Sequence, residues 1–290
     1  MDQIRIAEVP LDDTEKINLL VSESFGYSAP HSFFDDFPVW KSKDVIRIGG
    51  YSQEKLVSHV GIQFRSLKSS IGVEKVALIG AVATDRFHRG QGHSTLLMKN
   101  ALERVDQAGL NWSILWGSEH AFDSKFGFQL TGTQARARIS ELFSQGFAEK
   151  IPSPLKQEPQ SEFTPAILKE FLTRTKGIEF TADDEEWLSR QRSVKWLSLA
   201  NPFSFVAFER GMDLQGIVHE FGGEPAGVRE LLYQVLQMNQ ESQIIGTPRD
   251  LLRLGFTNDC LTIEGLCLAR SRDPSISWNE EFWISGLSAV

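Results

Sequence analysis

The passage from Val76 to Gly92 constrains this chain more than any other. It reads Val76-Ala77-Leu78-Ile79-Gly80-Ala81-Val82-Ala83-Thr84, then Asp85-Arg86-Phe87-His88-Arg89-Gly90-Gln91-Gly92. The first stretch is apolar at successive rather than alternate positions, so both of its faces must be covered, as in a central strand between helical layers. Two glycines in three residues then make a tight turn. From Gly92 to about Ala108 the residues Leu96, Leu97, Ala101, Leu102 and Val105 form one helical stripe, with Gly109 as the stop. A buried strand turning directly into an amphipathic helix commits the chain to an α/β fold. Upstream, Val45, Ile46 and Ile48, a turn at Ser52-Gln53-Glu54-Lys55, and then Leu56, Val57, Val60, Ile62 and Phe64 predict a hairpin. Residues 112–116 predict the next strand.

With 290 residues the chain is long enough for two domains, each with its own core. Pro152, Pro154, Pro159 and Pro165 fall among mostly polar residues, which marks a linker. The expected division is therefore a first domain at 1–148, a linker at 149–165 and a second domain at 166–290. Beyond the linker the order of elements repeats: a strand at 214–221, a helix at 228–237, a strand at 243–246, and Arg253-Leu254-Gly255-Phe256 matching Lys125-Phe126-Gly127-Phe128. No single ungapped offset aligns them all, so the repeat rests on order.

The turn before the first long helix has the properties of an anion site. The first amides of a helix lack partners inside it, and the helix dipole adds to their pull on negative charge. Gly90 and Gly92 let a phosphate approach the backbone, while Arg89 offers a cation. Alternatively, the glycines serve only to turn the chain.

Arg89-Gly90-Gln91-Gly92-His93-Ser94 resembles the pyrophosphate signature of the GCN5-related N-acetyltransferases (GNAT), Arg/Gln-x-x-Gly-x-Gly/Ala, with Ser94 at the last small position. The resemblance covers about residues 4–132 and implies a tandem GNAT-like fold, two mixed sheets flanked by helices, whose second half is a degenerate copy. It implies acetyl-CoA as acyl donor, bound by Val82, Ala83, Thr84, Arg89, Gly90, Gln91, Gly92, His93 and Ser94. It also implies direct attack by an amine of a small-molecule or peptide acceptor. In the second half, Glu224 and Pro225 stand where phosphate would sit, which argues against a second coenzyme A.

Acyl transfer needs a proton donor for the leaving thiolate. Many relatives use a tyrosine four residues before the Gly-Phe pair, where this chain has Asp123. Ionised at neutral pH unless its site raises its pKa, Asp123 is a poor stand-in for a phenol and is instead a candidate base or cation-binding group, or simply a solvated helix carboxylate; Glu119 and His120, beside Ser118, are candidate proton relays or helix-start residues. The glutamate that relatives often carry on the central strand is missing, with Glu74 just upstream. These departures keep open a second reading, a catalytically inactive acetyl-CoA-binding or interaction module. His31, in the loop after the first helix, is a substrate-contact candidate. His59, His88 and His93 read as strand, turn and helix-surface residues. His219 and Glu220 interrupt an apolar strand, as substrate-facing residues at the junction of the halves or as satisfied buried polar groups.

Composition trims the alternatives. A net charge of −8 without a lysine or arginine cluster speaks against nucleic acid, and no apolar run is long enough to span a bilayer. The start lacks the pattern of a secretory signal, so the expected location is cytoplasmic. Cys260 and Cys267 are too far apart along one extended segment to bond to each other, and they lack metal-ligand spacing. No metal is expected. Oligomeric state is not encoded in any of these features.

Overall fold

The computed structural model describes residues 4–69, 72–117, 119–144, 159–273 and 282–288. In chain order the first elements are β1 (Arg5–Glu8), α1 (Thr14–Phe25), α2 (Phe33–Asp36), β2 (Val45–Ser52), β3 (Lys55–Ser69), β4 (Gly72–Thr84), α3 (His93–Gln107), β5 (Trp112–Leu115), α4 (His120–Asp123) and β6 (Gln129–Arg138). Then come α5 (Ile139–Ser144), α6 (Pro165–Thr173), β7 (Gly177–Ile178), α7 (Glu185–Leu188), β8 (Lys195–Ala200) and β9 (Phe203–Phe208). The last are β10 (Ile217–Gly223), α8 (Pro225–Met238), β11 (Gln243–Gly246), α9 (Pro248–Leu254) and β12 (Thr262–Ser271).

The chain divides into two compact units. One comprises Met1–Thr131, Cys267–Glu280 and Ala289–Val290; the other comprises Gly132–Leu266 and Glu281–Ser288. The division therefore falls within β6 and again within β12. Of the proline-rich stretch at 149–165, residues 149–158 lie outside the described residues; Gln160 pairs with Ser198, and Pro165 is the first residue of α6, capped by the Thr164 side chain.

In the first unit the strand order is β1-β2-β3-β4-β5 followed by the end of β12. The β2–β3 hairpin turns on Gln53 and Glu54, both at positive φ, which suits the twist of a two-residue turn. β4 lies inside the sheet, antiparallel to β3 and parallel to β5, and Val76, Ala77, Leu78 and Ile79 are fully buried. Both faces of the run are thus covered: α3 packs on the sheet, with Leu97, Met98, Ala101, Leu102 and Val105 in the core beside Ile48, Val57, Ile62 and Ile79, and α1 also packs against β3 and β4. Leu96 was expected on that stripe but is exposed; Met98 takes the inward place.

The second unit repeats strand, helix, parallel strand and short helix as β10, α8, β11 and α9, closing on Gly255 as β5 and α4 close on Gly127. Both glycines are left-handed caps, with φ of 103° and 86°. Its strand order is β12-β6-β11-β10-β9-β8, and α8 buries Val228, Leu231, Leu232, Val235 and Leu236 against it. β10 begins at Ile217 rather than at Leu214, because residues 211–216 form turns.

Cys260 and Cys267 do not share one extended segment. Cys260 ends a one-turn helix before β12, whereas Cys267 is buried within the strand, where burial pushes its thiol up to about 12. No helix among the described residues is long and apolar enough to cross a membrane.

Candidate active site

The site is built where β4 ends. Its parallel ladder with β5 covers only Val76↔Trp112 to Ile79↔Leu115, so on that side residues 80–84 continue with no strand partner among the described residues. On the other side β3 stays paired, but one residue is looped out: Gly61 faces Gly80 while His59 faces Ala83. The bulge centres on Ala81, a non-glycine residue at φ 51°, and bulges of this kind redirect a strand next to a site.

His59 secures the bulge. Its ring is fully buried and its Nδ1 lies 2.8 Å from the Ala81 carbonyl. A carbonyl can only accept, so Nδ1 carries the hydrogen, and burial pushes the imidazole down to about 4. It is a neutral structural group at any ordinary pH, and its strand position agrees with the sequence reading.

Three hydroxyls then tie strand to helix. Ser58 Oγ donates to the Ala83 carbonyl at 3.0 Å and lies 2.9 Å from Thr84 Oγ1, which lies 2.7 Å from Ser94 Oγ. Ser94, the departure from the Gly/Ala motif position, therefore fits because it has a hydroxyl partner at the strand end. Asp85 fixes the turn by accepting from the Phe87 amide at 2.9 Å, from His88 Nδ1 at 2.9 Å and from Lys55 Nζ at 3.0 Å. The His88 hydrogen bond, against the cost of burial, holds its carboxyl at about 2. Neither Ser58 nor Asp85 was singled out from the sequence. The available signal was Asp85 itself, a carboxylate directly after a strand and two residues before an exposed amide.

Arg89 Nε donates to the Thr84 carbonyl at 3.1 Å and its Nη2 to the Ser24 carbonyl at 3.2 Å. Its guanidinium thus braces the turn while remaining exposed. Gly90 and Gly92 adopt φ of 75° and 82°, and a Cβ built on either meets nothing within 4 Å. They are glycines because of conformation and because the space above them is open. Gly92 caps α3 without any side-chain cap, and Leu96 makes the first bond to it, N to O at 3.0 Å. The amides before Leu96 have no partner within the helix and face no capping side chain. Gln91 turns back, its Nε2 donating to the Phe87 carbonyl at 3.3 Å.

His93 differs from expectation. It is buried rather than lying on the helix surface, because the first turn of α3 points its ring inward to 6.3 Å from His88. Burial, with the neighbouring His88, lowers its pKa.

Past the C-terminal end of β5 lie the proton-transfer candidates. Asp123, at the end of α4, is 5% exposed, and its Oδ2 lies against Gly117. Burial raises its pKa, Glu119 adds to the rise and His120 opposes it. The solvated-carboxylate alternative is thereby excluded, since the group is out of water. His120, the first residue of the same short helix, and Glu119, its N-cap, are exposed, and Ser118 lies outside the described residues. Glu74 sits half-exposed near the outer end of β4, away from the bulge. His31 is half-buried, 3.5 Å from the buried Asp36. The second unit contains His219 and Glu220, both buried, which β10 presents across a register shift between Val218 and Glu220. The simple alternation expected of adjacent strand residues is broken there.

Residues 5–131 match the acetyltransferase (GNAT) domain family. Among solved structures, the fold is shared with a GCN5-related N-acetyltransferase from Kribbella flavida at 18% identity and TM-score 0.61, covering 93% of this chain and 71% of that one. A protein of Enterococcus faecalis V583 matches at 15% identity and TM-score 0.64, covering 93% and 73%. A protein of Pyrococcus horikoshii matches at 15% identity and TM-score 0.61, covering 100% of this chain and 97% of that one. No curated protein matched the chain.

Proposed function

We propose that this protein, whose residues 5–131 match the GNAT acetyltransferase domain family, transfers an acetyl group from acetyl-CoA to an amine of a small molecule or peptide, acting in the cytoplasm. One observation carries the reading. The uncapped start of α3 follows two left-handed glycines at the point where β4 loses its β5 partner. Free amides, a helix dipole and open space then meet at a strand edge that can still offer hydrogen bonds.

The residues fit such a donor. Gly90 to Ser94 would hold the pyrophosphate on their amides, Arg89 would hold the turn in shape, and the backbone of Val82, Ala83 and Thr84 would hold the extended arm. Acetyl-CoA supplies an activated thioester. The chain supplies position, which can account for much of the rate, and a proton for the departing sulfur. Asp123 fits the proton-donor role better than an exposed carboxylate would, since burial favours its protonated form. Glu119 and His120, both exposed, would exchange that proton with water. His31 lies in the loop after α1, where it would contact the acceptor. We assign the second unit as a GNAT-like copy without a coenzyme site, because α8 starts with Glu224 as its cap and Pro225, which has no amide, as its first residue.

The test is calorimetric titration with acetyl-CoA, followed by a thiol-release assay against a panel of amines and peptides. Saturable binding with amine-dependent release is the expected outcome. Binding without release by any amine would favour the inactive-module reading, and failure to bind would remove the proposal.

A further inference from the structure

The second unit has an opening of its own at the matching place. β10 and β11 pair in parallel only over Ile217↔Gln243 and Val218↔Ile244, and then part. A cavity of about 490 Å³ lies beside the unpaired ends of these strands, within the size range of small-molecule sites. Its chemistry is unlike that at α3. The adjoining helix begins with a carboxylate and a proline, so a pyrophosphate would meet repulsion and a missing amide.

Glu220 is the informative group. Its side chain is 1% exposed, and Arg174 Nη2 holds Oε2 at 2.7 Å. Its other oxygen, Oε1, is buried without a hydrogen-bond partner, although the residue lines the cavity. An unsatisfied buried carboxylate oxygen is costly, so a donor from a ligand would be rewarded there. The same lining includes Arg249 and Arg253, four residues apart and hence on one face of α9. Both are exposed and make no ion pair among the described residues. The nearest carboxylate in sequence, Asp250, is already bonded to Thr247 Oγ1 at 2.7 Å. Phe221 and Trp283 add apolar surface. A donor-hungry carboxylate and two unengaged guanidinium groups, lining one cavity, ask for a ligand with an ammonium group at one end and an anionic group at the other.

We propose that this cavity binds a small zwitterion of the amino-acid or short-peptide class, its ammonium on Glu220 and its carboxylate on Arg249 and Arg253. The inference does not depend on acetyl transfer. It requires only the second unit.

The full chain, without acetyl-CoA, would be titrated with L-alanine, L-glutamate, L-lysine, L-phenylalanine and glycylglycine up to about 10 mM. At least one should bind saturably. Its C-terminal amide and its N-acetyl derivative should each bind at least tenfold more weakly, as should the parent ligand to Arg249→Ala/Arg253→Ala. Those two positions are exposed, so this variant should fold; Glu220→Gln adds a second probe of the ammonium end. Acetyl-CoA affinity of the double variant should equal that of the parent chain, which separates failure here from failure of the acetyltransferase reading. The proposal is overturned if no probe binds, if the blocked analogues bind equally well, or if the double variant binds like the parent.

Discussion

Gly92→Asn separates two reasons for a glycine that usually coincide. At φ 82° an alanine would carry a left-handed penalty of about 1–2 kcal/mol, whereas asparagine visits this region readily. Nothing lies within 4 Å of the built Cβ, so neither side chain would clash with the protein. Gly92→Ala should then lower the melting temperature by roughly 2–8 °C, and Gly92→Asn by much less. Acetyl-CoA binding should not follow that order. Either side chain enters the space above the first amides of α3, and losing even one hydrogen bond to a charged phosphate, about 1.5–3 kcal/mol, weakens affinity tenfold or more. Calorimetric titration of both variants, with thermal melts as the control for folding, decides the matter. A Gly92→Asn protein that binds acetyl-CoA like the parent would show that the open space over Gly92 is not where the donor lies.

Four further outcomes follow. Asp123→Asn should leave acetyl-CoA affinity within twofold while lowering thiol release at least tenfold, and the parent's rate should fall with rising pH at a point displaced upward by the burial of Asp123. His59 titrates near 4 when folded against about 6.5 when unfolded, so the unfolded chain takes up the proton first and stability is lost as pH falls from 6.5 to 4. Between pH 7 and pH 5 this one group should remove about 2 kcal/mol, and His59→Gln should show a correspondingly shallower loss in urea denaturation. Gly61→Ala should destabilise the first unit by about 1–3 kcal/mol, since its Cβ would drive into the Trp40 ring. Glu224→Ser/Pro225→Ala should leave acetyl-CoA affinity unchanged, as read by the same titration.

What was legible in the sequence followed from periodicity and from glycine. The run at 76–84 could only be a covered strand, the stripe read from Leu96 to Val105 is one face of a helix in all but the exposed Leu96, and Gly109, at φ 73°, stops that helix as read. What was not legible depended on long-range register. The Ala81 bulge arises because β3 and β4 pair two residues against one, and neither strand announces it alone. The burial of His93 is hidden from the sequence too, since the first turn of α3 is tied to the strands through the hydroxyl chain Ser58, Thr84 and Ser94, whose first member lies 35 residues upstream of His93. The burial of Asp123 was hidden for the same reason, since it depends on Gly117 leaving room for a carboxylate.

The two helix starts show how one arrangement of elements can take on two chemistries. In each unit a strand loses its parallel neighbour after a short ladder and a helix begins beside the gap. At α3 the cap is a glycine with no side chain over the amides, so the backbone there is left open to an anion. At α8 a carboxylate caps the helix and proline removes an amide, so the backbone is withdrawn from binding. Recognition there must come from side chains, and those lining the gap include the unsatisfied carboxylate of Glu220 and the guanidinium groups of Arg249 and Arg253, which make no ion pair among the described residues. A gap that had merely decayed would be expected to lose its buried charge first, because an incompletely paired carboxylate costs stability and an apolar residue of similar size would relieve it. That Glu220 stays buried, with one oxygen held by Arg174 and the other left open, is better explained by a ligand that completes it.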